Sequence, residues 1–467
     1  MKTTTMTRLG HRGLASKVVI TCTAVAFLLL SIGRLKATGP SDALEFDLHP
    51  SPLPAQQTRK HPAAATAVLP ATAPLANASI QNSAFPSGSG SESQYLPFTP
   101  PFHTKGRRIL DARNASVKLT SVNWYGASDV NFIPSGLDVR HRDEIAALIR
   151  GLGFNSVRLP YADEMVRKNP LISPRLLAAN LDLVPNAGEG SEGARALDVF
   201  TAVVESLTAA GLFVIVNNHI TQATWCCDAN LCDAGWSNDW LGGSLLCRVS
   251  QTEEQWIENW ETVMSPLAQN PLVIGADLRN EVRGLWGTMQ WDSWASAAEK
   301  AAERLLNMNP NWLMIVEGVS SANDLSGVRH RPVELSHPDR VVYSAHVYAW
   351  SGWGSLYPYS RRTYESFATD MRKNWAYLLE EDRAPVWVGE VGTSDKPDEG
   401  DQNYWNHLVR FLKEVDASWG YWAINPRKPA ANEWESYGLV GDGWDSQSIR
   451  WDYRMNDLKQ LGLGVKS

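Results

Sequence analysis

The sequence predicts an α/β protein of the (β/α)8 TIM-barrel class, with long βα loops, preceded by an apolar N-terminal segment and a disordered stalk. Three observations carry this. Eight short β-rich runs occur in about 360 residues, each followed by a helical pattern or a polar loop. Several of those runs are nearly continuous apolar stretches, as expected of strands covered on both faces. All 20 tryptophans lie between Trp124 and Trp451, so the region before them is a different material.

The predicted strands, in order, are 117–124, 153–159, 212–219, 273–280, 312–317, 341–347, 385–390 and 418–424. Predicted helices cover 141–150, 194–210, 252–268, 290–307, 361–380, 402–415 and 450–461. In the first, Ile145, Leu148 and Ile149 share a face; in the second, Leu197, Phe200, Val203, Val204 and Leu207 do. A doubly wound open sheet is the rival. It calls for a glycine-rich phosphate turn directly after its first strand. The one letter-perfect G-x-G-x-x-G, Gly188–Gly193, sits in a polar loop with no strand before it, and its two glutamates would repel a pyrophosphate. No Walker, H-E-x-x-H or G-x-S-x-G motif is present.

Residues 1–17 are basic, with Lys2, Arg8, Arg12 and Lys17 ahead of an uncharged run at 18–33. That pattern is a signal peptide or a signal-anchor. Sixteen apolar residues are short for a span of about 20, but tilt can accommodate them. Either reading makes the bulk of the chain secreted, or anchored in a membrane through residues 18–33 and lumenal or extracellular. Residues 34–104 are rich in Pro, Ala, Ser and Thr and cannot bury enough apolar surface to fold. Asn77 and Asn114 begin glycosylation sequons. The folded domain is expected over 105–467, as a monomer. A net charge of −7 gives no bulk attraction to phosphate backbones, so nucleic acid is excluded as a partner.

Cys22 lies in the apolar run and reads as filler. Cys226, Cys227, Cys232 and Cys247 crowd into 22 residues. In an oxidising compartment they predict two disulfides, with three connectivities open. A zinc site is the alternative, disfavoured because the paired C-x2-C spacing is missing.

Barrel enzymes place their chemistry at the C-terminal ends of the strands. Those ends carry Trp124, Arg158, Asn218 and His219, Asn280 and Glu281, Glu317, His346 and Tyr348, Glu390, and Trp422 and Asn425. Nearly every strand ends in a polar group, three of them glutamates. Strands four and seven lie on roughly opposite sides of a ring of eight, so Glu281 and Glu390 can face each other. Two facing carboxylates suit glycoside hydrolysis. Glu317 is the third acid, expected to orient substrate or a neighbouring side chain.

On Gly153-Phe-Asn-Ser-Val-Arg158-Leu-Pro, Asn217-Asn-His219, Arg279-Asn280-Glu281, Ser344-Ala-His346-Val-Tyr348, Trp387-Val-Gly-Glu390-Val-Gly and Gly420-Tyr-Trp422, the chain resembles glycoside hydrolase family 5, the cellulase family of clan A. The motifs fall one per strand and in order. The resemblance implies a retaining mechanism with Glu281 as acid/base and Glu390 as nucleophile. It also implies Asn280 on the substrate 2-hydroxyl, Arg158 and Tyr348 near the nucleophile, His219 and His346 as hydrogen-bonders, and Trp422 as a sugar platform. Trp124 and Glu317 join the substrate-binding set. The Cys-Cys loop departs from the commonest bacterial members and looks fungal or plant-like.

Chemistry sets the same demands. An acid/base glutamate needs a raised pKa and a nucleophile must stay ionised. No metal or organic cofactor is required. Sugar rings present an apolar face that indole can cover, so Trp225, Trp236, Trp240, Trp286, Trp291, Trp350, Trp353, Trp434 and Trp444 are subsite candidates, while Trp256, Trp294 and Trp375 read as core. The expected partner is a β-linked glycan, and the expected activity is that of a cellulase-like endo-β-glucanase. An inactive sugar-binding protein and a transglycosylase are the alternatives.

Overall fold

The computed structural model describes residues 98–184, 193–227, 230–241, 246–284, 287–351, 358–429 and 432–464. The N-terminal segments at 1–17 and 18–33, most of the stalk, Cys22, Asn77, nearly all of the 188–193 loop, Trp286 and Trp353 lie outside them. Among the described residues no helix is long and apolar enough to cross a membrane.

Eight parallel strands close into a ring: β4 (Thr120–Asn123), β5 (Ser156–Ala162), β6 (Phe213–Ile220), β7 (Val273–Asp277), β8 (Leu313–Glu317), β9 (Val341–Val347), β10 (Val386–Val391) and β11 (Ser418–Tyr421), with β11 pairing back onto β4. All eight predicted strands are present. The first was drawn too long. Val117 belongs to a small antiparallel sheet, β1 (His103–Lys105), β2 (Arg108–Leu110) and β3 (Ser116–Val117), and only Thr120 onward enters the ring. Asn114 is exposed in the turn before β3, with φ 63°.

The helices wrap the ring as their periodicity requires: α1 (Arg142–Gly151), α2 (Asp163–Lys168), α3 (Ala196–Ala209), α4 (Glu253–Met264), α5 (Trp291–Met308), α6 (Tyr364–Met371), α7 (Glu399–Val415) and α8 (Tyr453–Gln460). The short α2 was not anticipated. Thr252 and Gln255 form a capping box that starts α4. Trp256, Trp294 and Trp375 are core, as expected.

The two ends of the ring differ. Around the N-terminal ends, Phe102, just before β1, and Ile109 and Val117 of the small sheet pack on Phe213, Ile215, Ile274, Leu313, Ile315, Val342 and Trp387 to make an apolar floor. Trp387 fills so much of the interior that its neighbours must be small. A Cβ on Gly420 would stand 2.5 Å from the Gly389 carbonyl and 3.2 Å from the Trp387 ring.

Candidate active site

Above that floor the strands change character. Arg158, near the middle of β5, is fully buried. Its Nε donates to Asp277 Oδ2 at 2.7 Å, one terminal nitrogen to Asn123 Oδ1 at 3.0 Å and to Glu390, and the other to Asn280 Oδ1 at 2.7 Å and Glu317 Oε1 at 3.0 Å. All five N–H donors of a guanidinium are thereby engaged. Burial opposes its charge, but Asp277, Glu390 and Glu317 outweigh burial and hold it protonated.

Glu390, on β10, receives that guanidinium on Oε1 and the Tyr348 hydroxyl on Oε2 at 2.8 Å. Burial, and then the Glu390 charge, push the Tyr348 phenol well above its usual range, so it remains a donor. Glu281 follows β7 with φ 48°, a left-handed conformation that a side chain this large adopts only when held. Glu317 holds it: its Oε2 accepts the Glu281 backbone N–H at 2.7 Å. Burial raises the Glu281 carboxyl from 4.5 to about 7, against the pull of Arg283 and Arg158. His346 Nδ1 lies 3.1 Å from Glu281 Oε1 and 3.8 Å from Glu390 Oε2. Burial keeps this imidazole neutral, with a pKa of about 4.

The three groups gather closely. One oxygen of Glu281, one of Glu390 and a ring nitrogen of His346 all lie within 4.8 Å of one another. They could serve a metal, but Glu390 already sits in a hydrogen-bonded frame of Arg158 and Tyr348, and His346 pairs with Glu281. The other three-group set, Cys226, Cys227 and Glu281, offers no thiolate, because the cysteines are bonded to each other. Cys232 is bonded to Cys247. The zinc alternative for the four cysteines therefore fails.

A cavity of about 380 Å³ opens over the pair, lined by Tyr125, His219, Trp225, Cys226, Cys227, Asn280, Glu281, Tyr348, Trp350, Glu390, Trp422 and Lys428, among others. His219 Nδ1–H donates to Asn217 Oδ1 at 2.9 Å, since the Asn217 amide is oriented by its own bond to Asp277 Oδ2 at 3.0 Å. That leaves Nε2 as an acceptor. Trp422 stacks with Tyr125 and with His219, each tilted 11° from it.

Not every expected residue reaches the cavity. Trp124 is fully buried, packed on Trp444, with its indole N–H on the Ser135 carbonyl at 3.0 Å. It cannot touch substrate; alternation along the strand end gives the cavity Tyr125 instead. Arg158, His346 and Glu317 lie behind the two glutamates rather than in the lining, so Glu317 orients its neighbours and not a sugar. Trp225 and Trp350 line the cavity. Trp236, Trp291 and Trp444 are packed beneath loops, and Trp240 and Trp434 are exposed away from it. Sequence reasoning missed Asp277, whose signal was a lone acid ending the apolar run Val-Ile-Gly-Ala. It also missed Asp129, Lys428 and Glu435, which come from loops without periodic pattern.

The family model for cellulase (glycosyl hydrolase family 5) matches residues 110–428. The chain belongs to glycosyl hydrolase family 5. An endoglucanase of Paenibacillus polymyxa is 28% identical over 374 residues, covering 76% of this chain and 85% of the relative. A glycosyl hydrolase 5 family protein of Chamaecyparis obtusa is 28% identical over 365 residues, covering 74% and 63%. Among solved structures, the catalytic domain of the major endoglucanase of Xanthomonas campestris pv. campestris superposes with a TM-score of 0.63 at 23% identity, covering 77% of this chain and 99% of that one. An endocellulase of Pyrococcus horikoshii does so with 0.62 at 22%, covering 79% and 100%. As a family member the chain is a glycoside hydrolase, and its substrate is a carbohydrate.

Proposed function

We propose that this glycoside hydrolase is a retaining endo-β-glucanase that works by double displacement, with Glu390 as nucleophile and Glu281 as acid/base. The observation that carries the reading is the approach of the two carboxylates to within 4.8 Å at the mouth of one cavity. Retaining glycosidases hold their pair about 5–5.5 Å apart, and inverting ones about 6.5–9.5 Å.

Each step has its group. Glu281, protonated up to about pH 7, donates to the leaving oxygen. Glu390, aimed by Arg158 and Tyr348, attacks the anomeric carbon. Once glycosylated, Glu390 loses its charge, and Glu281 can ionise and take a proton from water. Asn280 reaches the sugar's 2-hydroxyl, where contacts strengthen in the oxocarbenium-like state. Trp422, Trp225 and Trp350 supply flat apolar surface for sugar rings. The β-glucan substrate is supported by the names of the relatives and by the Pyrococcus endocellulase variants solved with cellotetraose. We place the body outside the cytosol, anchored or released at residues 18–33; its two disulfides fit such a compartment.

Glu390→Gln and Glu281→Gln should each abolish turnover of soluble β-glucan while leaving the circular dichroism spectrum unchanged, the second by about 10²–10⁴-fold. Proton NMR of the first product should show the β-anomer. An α-anomer, or robust activity in Glu390→Gln, overturns the assignment.

A further inference from the structure

The bridge between Cys226 and Cys227 has no obvious stabilising task. A disulfide stabilises chiefly by closing a loop in the unfolded chain, and adjacent residues close none. The 220–250 loop already has a staple in Cys232–Cys247, with a sequence separation of 15. The position of the first bridge is more telling. Both its residues line the catalytic cavity. Its two sulfurs lie 3.5 and 3.3 Å from Asn280 Nδ2, which donates toward them. They also lie within 4.8 Å of a Glu281 oxygen. Asn280 Oδ1 is held from behind by Arg158 at 2.7 Å. The amide is thus gripped at both ends, with its NH2 turned to the cleft and the sulfurs.

We propose that the Cys226–Cys227 disulfide is a positioning element of the cleft: it fixes the Asn280 amide and walls Glu281 from water, and its reduction to a dithiol slows catalysis. This rests on Glu281 being the acid/base. Reduction by tris(2-carboxyethyl)phosphine breaks the S–S bond and forms two S–H groups. The phosphine supplies two electrons and leaves as its oxide, with water supplying the protons and the oxygen. The separated thiols rotate independently and release Asn280.

The bridge's influence on Glu281 is readable against a known background. The charged or titratable groups facing that carboxyl are Arg158 from β5, Glu317 from β8, His346 from β9, Tyr348 just beyond β9, Glu390 from β10 and Arg283 beyond Glu281 itself. None of them is altered by Cys226→Ala/Cys227→Ala. With the wall removed, more of the Glu281 carboxyl meets water and its pKa falls, so the alkaline limb of the kcat/KM profile moves to lower pH.

The test uses the full chain and soluble β-glucan oligosaccharides. The double variant should lose about tenfold in kcat/KM, chiefly in kcat. Its alkaline limb should shift downward, and its melting temperature should stay close to wild type. Wild-type enzyme treated with the phosphine should match it, and the treated variant should lose nothing more. An unchanged profile in the double variant overturns the proposal. An equal phosphine effect in variant and wild type assigns that effect to Cys232–Cys247 and overturns the redox part. Glu281→Gln in the same assay separates the two claims. If that variant is active, the acid/base assignment fails; if it is dead while the cysteine variant behaves as wild type, only the disulfide proposal fails.

Discussion

Floor and rim of the barrel are built by the same strands to opposite rules. Strand β6 carries Phe213 and Ile215 into the apolar floor, and a few residues on it carries His219 to the cavity, held from below by Asn217. At the floor the side chains are uncharged and meet mainly by packing, with the Trp387 indole N–H on Ser121 Oγ at 3.2 Å. At the rim Arg158, Asp277, Glu317 and Glu390 are buried together, an arrangement that costs desolvation and is retained for what it positions. Stability and chemistry are therefore separable along a single strand, in line with the division between the bottom and top faces of such barrels.

The largest expected effect tests the floor. Phe213 meets Phe102 edge to face at 4.8 Å, and Phe213→Ala should cost about 3–5 kcal/mol of stability. Thermal melts would report that loss, while kcat per folded molecule should stay near wild type; a collapse of kcat in the folded fraction would break the separation.

A smaller effect of opposite sign tests the rim. Glutamate titrates near 4.5 when exposed in the unfolded chain, whereas Glu281 titrates near 7 in the fold. Between those values the folded state keeps a proton that the unfolded state has lost, so this group's contribution to stability is full below pH 4.5 and is lost as pH rises through 7. Glu281→Gln removes the ionised form. It should raise the melting temperature above pH 7, by the equivalent of about 3 kcal/mol at most, and leave it unchanged below 4.5. Equal melting temperatures at pH 8 would mean that the rim carries no such cost.

The smallest effect sharpens the boundary of the cleft. Trp350 stacks on Tyr348 at 4.6 Å and lines the cavity, whereas Trp434 is also exposed but lies off it. Trp350→Ala should raise KM several-fold, in keeping with about 1 kcal/mol for an aromatic contact. Trp434→Ala should leave kinetics unchanged.

The same contrast governs what could be read from the sequence. All eight strands were legible because burial on both faces writes continuous apolar runs, and the two facing glutamates were legible because polar strand ends interrupt them. Trp124 and Tyr125 show where this stops. Both are large aromatics at the end of one strand, and only the register of the ring decides which faces inward. Val117 was assigned to the barrel because a β-rich run does not reveal that the chain changes sheets within it. Lys428 and Glu435 come from a loop shaped by tertiary contacts, which leaves no period to detect. Cysteine spacing announced two bridges without their partners, since pairing depends on distances that only the folded loop sets.

Arg158 draws its partners from Asn123, near the start of the barrel, through to Glu390, near its end. The full set of partners is complete only when the first and last thirds of the domain have met. A half-built ring could offer it Asp277 and Glu317 but would still lack Glu390. Assembly and competence are consequently one event: the chain gains its reactive centre by completing the circle, and a truncated barrel inherits neither.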